Sequence, residues 1–134
     1  MKYLLLFVCF AATLCSAQNE PAYFRHGNAE VIVDMCRSVT YYNAAEQTIP
    51  KEHGYEFGLC TGFIEGVVDD ESSNFAIQRT AKQKVQHNEC VPDGVTVAQL
   101  AKIVVKYADD HPESLNQPAA WFVHMALKKA FPCR

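Results

Sequence analysis

From Phe57 to Asp70 the chain reads FGLCTGFIEGVVDD, and on a helical projection almost no side of it is polar. Phe57, Cys60, Ile64, Val67 and Val68 share one face, Leu59 and Phe63 flank it, and only Thr61, Glu65 and Asp69 form a polar strip. A helix that is apolar nearly all round is a buried one. Gly58, Gly62 and Gly66 recur every four residues, a stripe along which a neighbouring backbone can approach closely. Each glycine costs about 1 kcal/mol against alanine within a helix, so the competing reading of the same stretch is a turn. Pro50, placed where a first-turn amide has no partner to lose, opens the segment, and the pattern predicts a helix from Lys51 to Asp70.

Three more helices follow from the same periodicity. Ile32, Met35, Cys36, Val39 and Tyr42 sit at helical spacing after Asn28, which is placed to cap the start. Thr96 with Gln99 makes a capping box, Val95 with Leu100 a hydrophobic staple, and Leu100, Ile103, Val104 and Tyr107 the apolar face of a helix that ends before Pro112. Pro118 opens the last helix, whose face is Ala119, Phe122, Val123, Ala126, Leu127 and Ala130, and Pro132 closes it. Between the second and third helices, Ser72 to Glu89 reads as a long loop with one helical turn at most, and Phe75 and Ile77 alternate in it like a short strand. Four helices on short connections, without a sheet, predict an all-α bundle.

The chain has 134 residues, enough for one domain with its own core. Met1 to Ala17 combines Lys2, an apolar run and small residues before the end, the pattern of a cleavable secretory signal. Residues 18–27, holding Pro21 and Gly27, read as a flexible leader, and 28–134 as a single helical domain. No stretch beyond the signal approaches the roughly 20 apolar residues of a membrane span, so no membrane association is expected once it is removed. Removal of the signal takes Lys2 with it and leaves 11 basic against 15 acidic residues, a formal charge of −4 with His neutral. That balance argues against nucleic acid as a partner.

Export also bears on the cysteines. Cys9 and Cys15 lie in the signal, so Cys36, Cys60, Cys90 and Cys133 remain, an even count in an oxidising compartment. Cys90 precedes the third helix and Cys133 follows the fourth, so an antiparallel hairpin of the two brings them together. Cys36 and Cys60 lie on the apolar faces of the first two helices. The expected pairs are Cys36 with Cys60 and Cys90 with Cys133, each contributing about 3 to 4 kcal/mol.

Little in the sequence points to catalysis. The histidines are scattered over different elements, and there is neither an HExxH pattern nor a GxSxG nucleophile turn. No CxxC knuckle or DxDxDG loop suggests zinc or calcium, and neither metal nor cofactor is expected. Glu65 and Asp69 are one helical turn apart and read as solvated surface carboxylates. His111, next to Asp109, Asp110 and Glu113, reads as completing a helix end. The acidic groups Asp69, Asp70 and Glu71, placed at the carboxyl end of the second helix, and Asp109 and Asp110 at that of the third, oppose the macrodipole there, a cost that binding could retain.

Three segments carry a resemblance: CTGFIEGVVDD from Cys60, CVPDGVTVAQLAKIVVKYADDHPESL from Cys90, and QPAAWFVHMALKKAFPC ending at Cys133. They are similar to the Rap/Tai immunity proteins associated with bacterial type VI secretion, over roughly Cys36 to Cys133. The resemblance implies a periplasmic α-helical protein, often a homodimer, that binds a secreted effector toxin, in known cases a peptidoglycan amidase, and blocks it without a reaction of its own. Asp69, Asp70, Glu71, Ser72, Ser73, Asn74 and Phe75 are the partner-binding candidates, from loop length and charge. The chain departs from the family's commonest pattern between Ser72 and Glu89. The alternative is a periplasmic helical binding or chaperone module without a toxin partner.

Overall fold

The computed structural model describes residues 27–84 and 87–133. The expected signal peptide, most of the leader and His26 lie outside the described residues. Within them the chain forms helix α1 (Ala29–Cys36), α2 (Gly54–Thr80), α3 (Val97–Asp110) and α4 (Ala119–Ala130), with short 3-10 turns at Arg37–Tyr41, Lys51–His53 and Pro112–Ser114. Helix α1 lies against the other three, and α3 packs on both α2 and α4. The described residues form no strand, only two isolated bridges, in keeping with the all-α bundle expected from periodicity.

The core is where those faces converge. Phe122, Ile64, Leu127, Val33, Val39 and Val104 are its largest fully buried side chains. Ala98, Ala101, Ala108, Ala119 and Ala126 are buried among them and keep the helices close. Tyr107 meets Phe122 edge to face at 5.1 Å between ring centroids. Two disulfides brace this body: Cys36 to Cys60 joins α1 to α2, and Cys90 to Cys133 joins the approach to α3 with the exit of α4. Beside the second bridge the Cys90 amide donates to the Phe131 carbonyl at 2.9 Å.

Helix ends are secured in different ways. At α3 the capping box forms, with the Gln99 amide donating to Thr96 Oγ1 and the Thr96 amide to Gln99 Oε1 at 2.8 Å. At α1 Asn28 occupies the cap position without a side-chain cap bond. The amides of Ala29 and Glu30 instead donate to the carbonyls of Gln117 and Leu115, at 2.9 and 3.0 Å, and the Ala119 amide donates to the Gly27 carbonyl. The starts of α1 and α4 therefore satisfy each other through backbone, which a capping rule based on local sequence does not anticipate. Pro50 leads into the 3-10 turn Lys51–His53, and α2 proper begins three residues later than Lys51, at Gly54. There His53 stacks on Tyr41 at 3.7 Å and Phe57 on Tyr42 at 5.2 Å.

The second helix departs most from expectation. It does not stop at Asp70 but runs 27 residues to Thr80, about 40 Å at 1.5 Å per residue. As far as Thr80 the expected loop, with the strand-like alternation of Phe75 and Ile77, is thereby replaced by almost three further turns of helix, while the described residues from Ala81 to Glu89 are non-helical as expected. Nor is it buried all round: Cys60, Ile64 and Val67 face the core, while Tyr55 is 72% and Leu59 38% exposed. Gly58, Gly62 and Gly66 lie on the open side, and a Cβ added at any of them would meet nothing within 4 Å. Among the described residues, the glycine stripe thus faces no other element.

Candidate partner-binding cleft

Helix α2 outlasts the core that buries its first half, and its side chains beyond Val68 need other partners. Those are supplied by the segment from His87 to Val91, which returns beside it. The Asn88 amide donates to Glu71 Oε1 at 2.7 Å and Asn88 Nδ2 to Glu71 Oε2 at 2.8 Å. The His87 ring lies over Phe75 with centroids 4.3 Å apart, and its Nδ1 is 3.9 Å from Glu71. Between helix and segment a cleft of about 360 Å³ remains, bordered by Glu71, Ser72 and Phe75 on one side and His87, Glu89 and Val91 on the other.

Glu89 is the most buried charged group at this cleft, with its side chain 2% exposed. His124 Nδ1 on α4 donates to it, at 2.9 Å to Oε1 and 3.2 Å to Oε2. Burial raises the Glu89 pKa above its ordinary 4.5; the hydrogen bond and charge of His124 pull it back, the Glu71 carboxylate adds to the rise, and Lys128 opposes it. Glu71 and Glu89 are thus close enough to feel each other across the cleft.

The sequence candidates divide between two faces of α2. Glu71, Ser72 and Phe75 line the cleft, whereas Asp69, Asp70, Ser73 and Asn74 are exposed outside it, where Asn74 Nδ2 donates to Asp70 Oδ2 at 2.9 Å. Since α2 ends at Thr80, Asp69, Asp70 and Glu71 stand mid-helix and the expected macrodipole cost at these three does not arise. Asp109 and Asp110 do end α3, and there Arg37 Nη2 reaches Asp109 at 3.0 Å and Lys106 Nζ reaches Asp110 at 3.2 Å. Glu65 and Asp69 are both exposed, as read from the sequence.

His111 is placed differently from its acidic sequence neighbours. Lys129 Nζ donates to its Nε2 at 2.9 Å, which leaves Nδ1 to carry the ring proton toward Glu113 at 3.3 Å. Glu113 in turn is held below the usual carboxylate range by its backbone hydrogen bond and by His111. The described residues hold no group of three or more His, Cys, Asp or Glu arranged to bind a metal ion. Sequence reasoning missed Glu89 and His124 because they are 35 residues apart and only the fold joins them.

The described residues thus form a small helical body braced by two disulfides, with a cleft beside its longest helix whose polar groups are engaged by one another. Its family is shown by the sequence model of Rap1a immunity proteins, which matches residues 28–133; the chain belongs to that family. Neither the comparison with curated proteins nor that with solved structures gives a match. Immunity proteins bind a toxin partner and are generally non-enzymatic, and the two disulfides are consistent with a secreted or periplasmic setting. No helix among the described residues is long and apolar enough to cross a membrane.

Proposed function

We propose that this protein protects its own cell by binding, in the periplasm, a secreted type VI effector that attacks peptidoglycan, an amidase by preference, and blocking access to its active site. The observation that carries this reading is the family match over residues 28–133. The Met1 to Ala17 signal pattern and the two disulfides support the compartment. The acidic stretch Asp69 to Phe75 is the proposed contact region, reaching the partner both from the exposed Asp69, Asp70, Ser73 and Asn74 and from the cleft lined by Glu71, Ser72 and Phe75.

The working form is a homodimer. What supports it is the outer face of α2, where Tyr55 and Leu59 project beside the open glycines at 58, 62 and 66. Small residues there let a second helix approach closely, flanked by two apolar anchors.

The test is capture from secreted fractions of the source organism and its close relatives with the disulfide-bonded protein as bait. Recovery of a cell-wall hydrolase whose activity falls on binding establishes the reading, and Asp70→Lys then weakens capture. Recovery of unfolded or unrelated envelope proteins alone, with no hydrolase inhibited, replaces it with that of a helical chaperone module.

A further inference from the structure

The geometry points to the cleft between α2 and the His87 to Val91 segment as a receptor for an arginine side chain of the toxin partner, with Glu71 and Glu89 as the carboxylates that recognise its guanidinium. This rests on the immunity reading and goes beyond it by naming the chemistry of one contact. The cavity of about 360 Å³ is open at its mouth, where Ser72 is exposed, and has two carboxylates and an aromatic ring in its walls.

The charge balance of the site is what selects a cation. Glu71 and Glu89 have side chains only 12% and 2% exposed, so neither is solvated like a surface carboxylate. Among the described residues, the ion-pair partner of each is an imidazole, His87 for Glu71 and His124 for Glu89, which is charged only when protonated. The donors that hold both oxygens of Glu71 belong to the uncharged Asn88. Among the described residues no lysine or arginine makes ion-pair contact with either carboxylate, Lys128 acting on Glu89 only from beyond that range, so the two sheltered carboxylates leave negative charge for an incoming group to neutralise.

Shape narrows the choice of cation. A guanidinium is planar, presents its donors as a fork, and is desolvated more readily than an ammonium. Each Glu71 oxygen has a second lone pair left after its Asn88 bond, available to such a fork. Phe75 and His87, stacked on each other across the cleft, form an apolar wall against which the aliphatic stem of the side chain can pack. Val68 and Val91 complete the apolar part of the lining.

The experiment is a titration of the intact disulfide-bonded protein with N-acetyl-arginine amide, N-acetyl-lysine amide and N-acetyl-citrulline amide, followed through the ring signals of His87 and His124. Citrulline keeps the size and shape of arginine without its charge. The expected result is a saturable shift with the arginine compound, half-complete on the order of millimolar, a weaker one with lysine and none with citrulline. Glu71→Gln weakens the arginine response about tenfold. Ser72→Phe, at an exposed helix position that carries no packing role, fills the mouth and abolishes the response with the melting temperature unchanged.

Equal responses to arginine and citrulline, or an arginine response that survives Ser72→Phe, overturn the assignment. Toxin capture is scored separately. Capture unaffected by Glu71→Gln, together with no arginine response, removes the cleft from the interface and leaves the immunity reading standing. Arginine binding with no toxin captured overturns the immunity reading and the toxin as source of the guanidinium, while the site itself stands.

Discussion

The first half of α2, Gly54 to Val68, buries Cys60, Ile64 and Val67 in the core and is tied to α1 by a disulfide. The second half, Asp69 to Thr80, buries no side chain fully and is held by Asn88 on Glu71 and by His87 on Phe75. One continuous helix therefore passes from a region fixed by apolar area to a region fixed by polar and aromatic contacts across a cleft. Hydrophobic burial is indifferent to pH and depends little on orientation, whereas hydrogen-bonded carboxylates depend on both. The contrast teaches where this scaffold can adapt to a partner: rigidity sits at one end of α2, and chemistry at the other.

The largest effect belongs to the rigid half. Replacing both Cys36 and Cys60 by Ala removes a bridge between residues 24 apart in sequence, and should cost about 3 to 4 kcal/mol in a denaturant melt. The loss should be global, with amides of α1, α2 and α3 losing exchange protection together. A loss confined to Asp69 to Thr80 would mean that the two halves are not held as described.

The second half should respond locally. Phe75→Ala removes the ring stacked on His87 from a half-buried site, and is expected to cost about 1 to 2 kcal/mol. Its signature is faster amide exchange from Glu71 to Thr80 and at His87 to Glu89, with Ile64 and Val104 still protected. Uniform loss across the core would instead make Phe75 part of the hydrophobic body.

What could be read from the sequence follows the same division. The α3 start was legible because Thr96 and Gln99 are three residues apart and complete their capping box locally. The disulfide partners were legible because the cysteines stand at helix faces and helix ends that any compact bundle brings together. The continuation of α2 was not, because Ser72, Ser73 and Asn74 have turn chemistry in isolation. In the fold Ser72 Oγ donates to the Val68 carbonyl at 3.1 Å and Thr80 Oγ1 to that of Ala76 at 2.8 Å, so these polar groups are spent on the helix itself. The same holds at the cleft, of which the sequence offered Glu71, Ser72 and Phe75 but neither Glu89 nor His124, since a contact between distant positions leaves no periodic trace.

The glycine stripe permits a smaller test, in the opposite direction. A Cβ at Gly66 would meet nothing within 4 Å, so Gly66→Ala at concentrations where the chain is monomeric should raise stability by about 1 kcal/mol through the helix backbone alone. Gly62→Leu should leave the monomer folded while weakening self-association, measured by sedimentation. Dimers that persist in Gly62→Leu would place the homodimer contact elsewhere.

The pH dependence of the cleft is the finest separation of the two halves. Glu89 faces Glu71 from α2 and His124 and Lys128 from α4, and shares the cleft lining with His87 of its own segment, which pairs with Glu71. Burial raises its folded pKa above the ordinary 4.5, so between those two values the folded chain holds a proton at Glu89 that the unfolded chain has released. Stability from this group is therefore fully present below 4.5 and is lost as pH rises through the raised folded value. Compared with Glu89→Gln, which keeps the shape and cannot ionise, the wild-type chain should lose stability across that window and then level off. Denaturant melts at constant ionic strength measure the difference, and exchange at Glu71 to Thr80 should follow it while Cys60 to Val67 stays unchanged. A difference that grows in favour of the wild type with rising pH would mean that His124 more than offsets the burial of the Glu89 charge, and the second half of α2 would then owe its order to an ion pair.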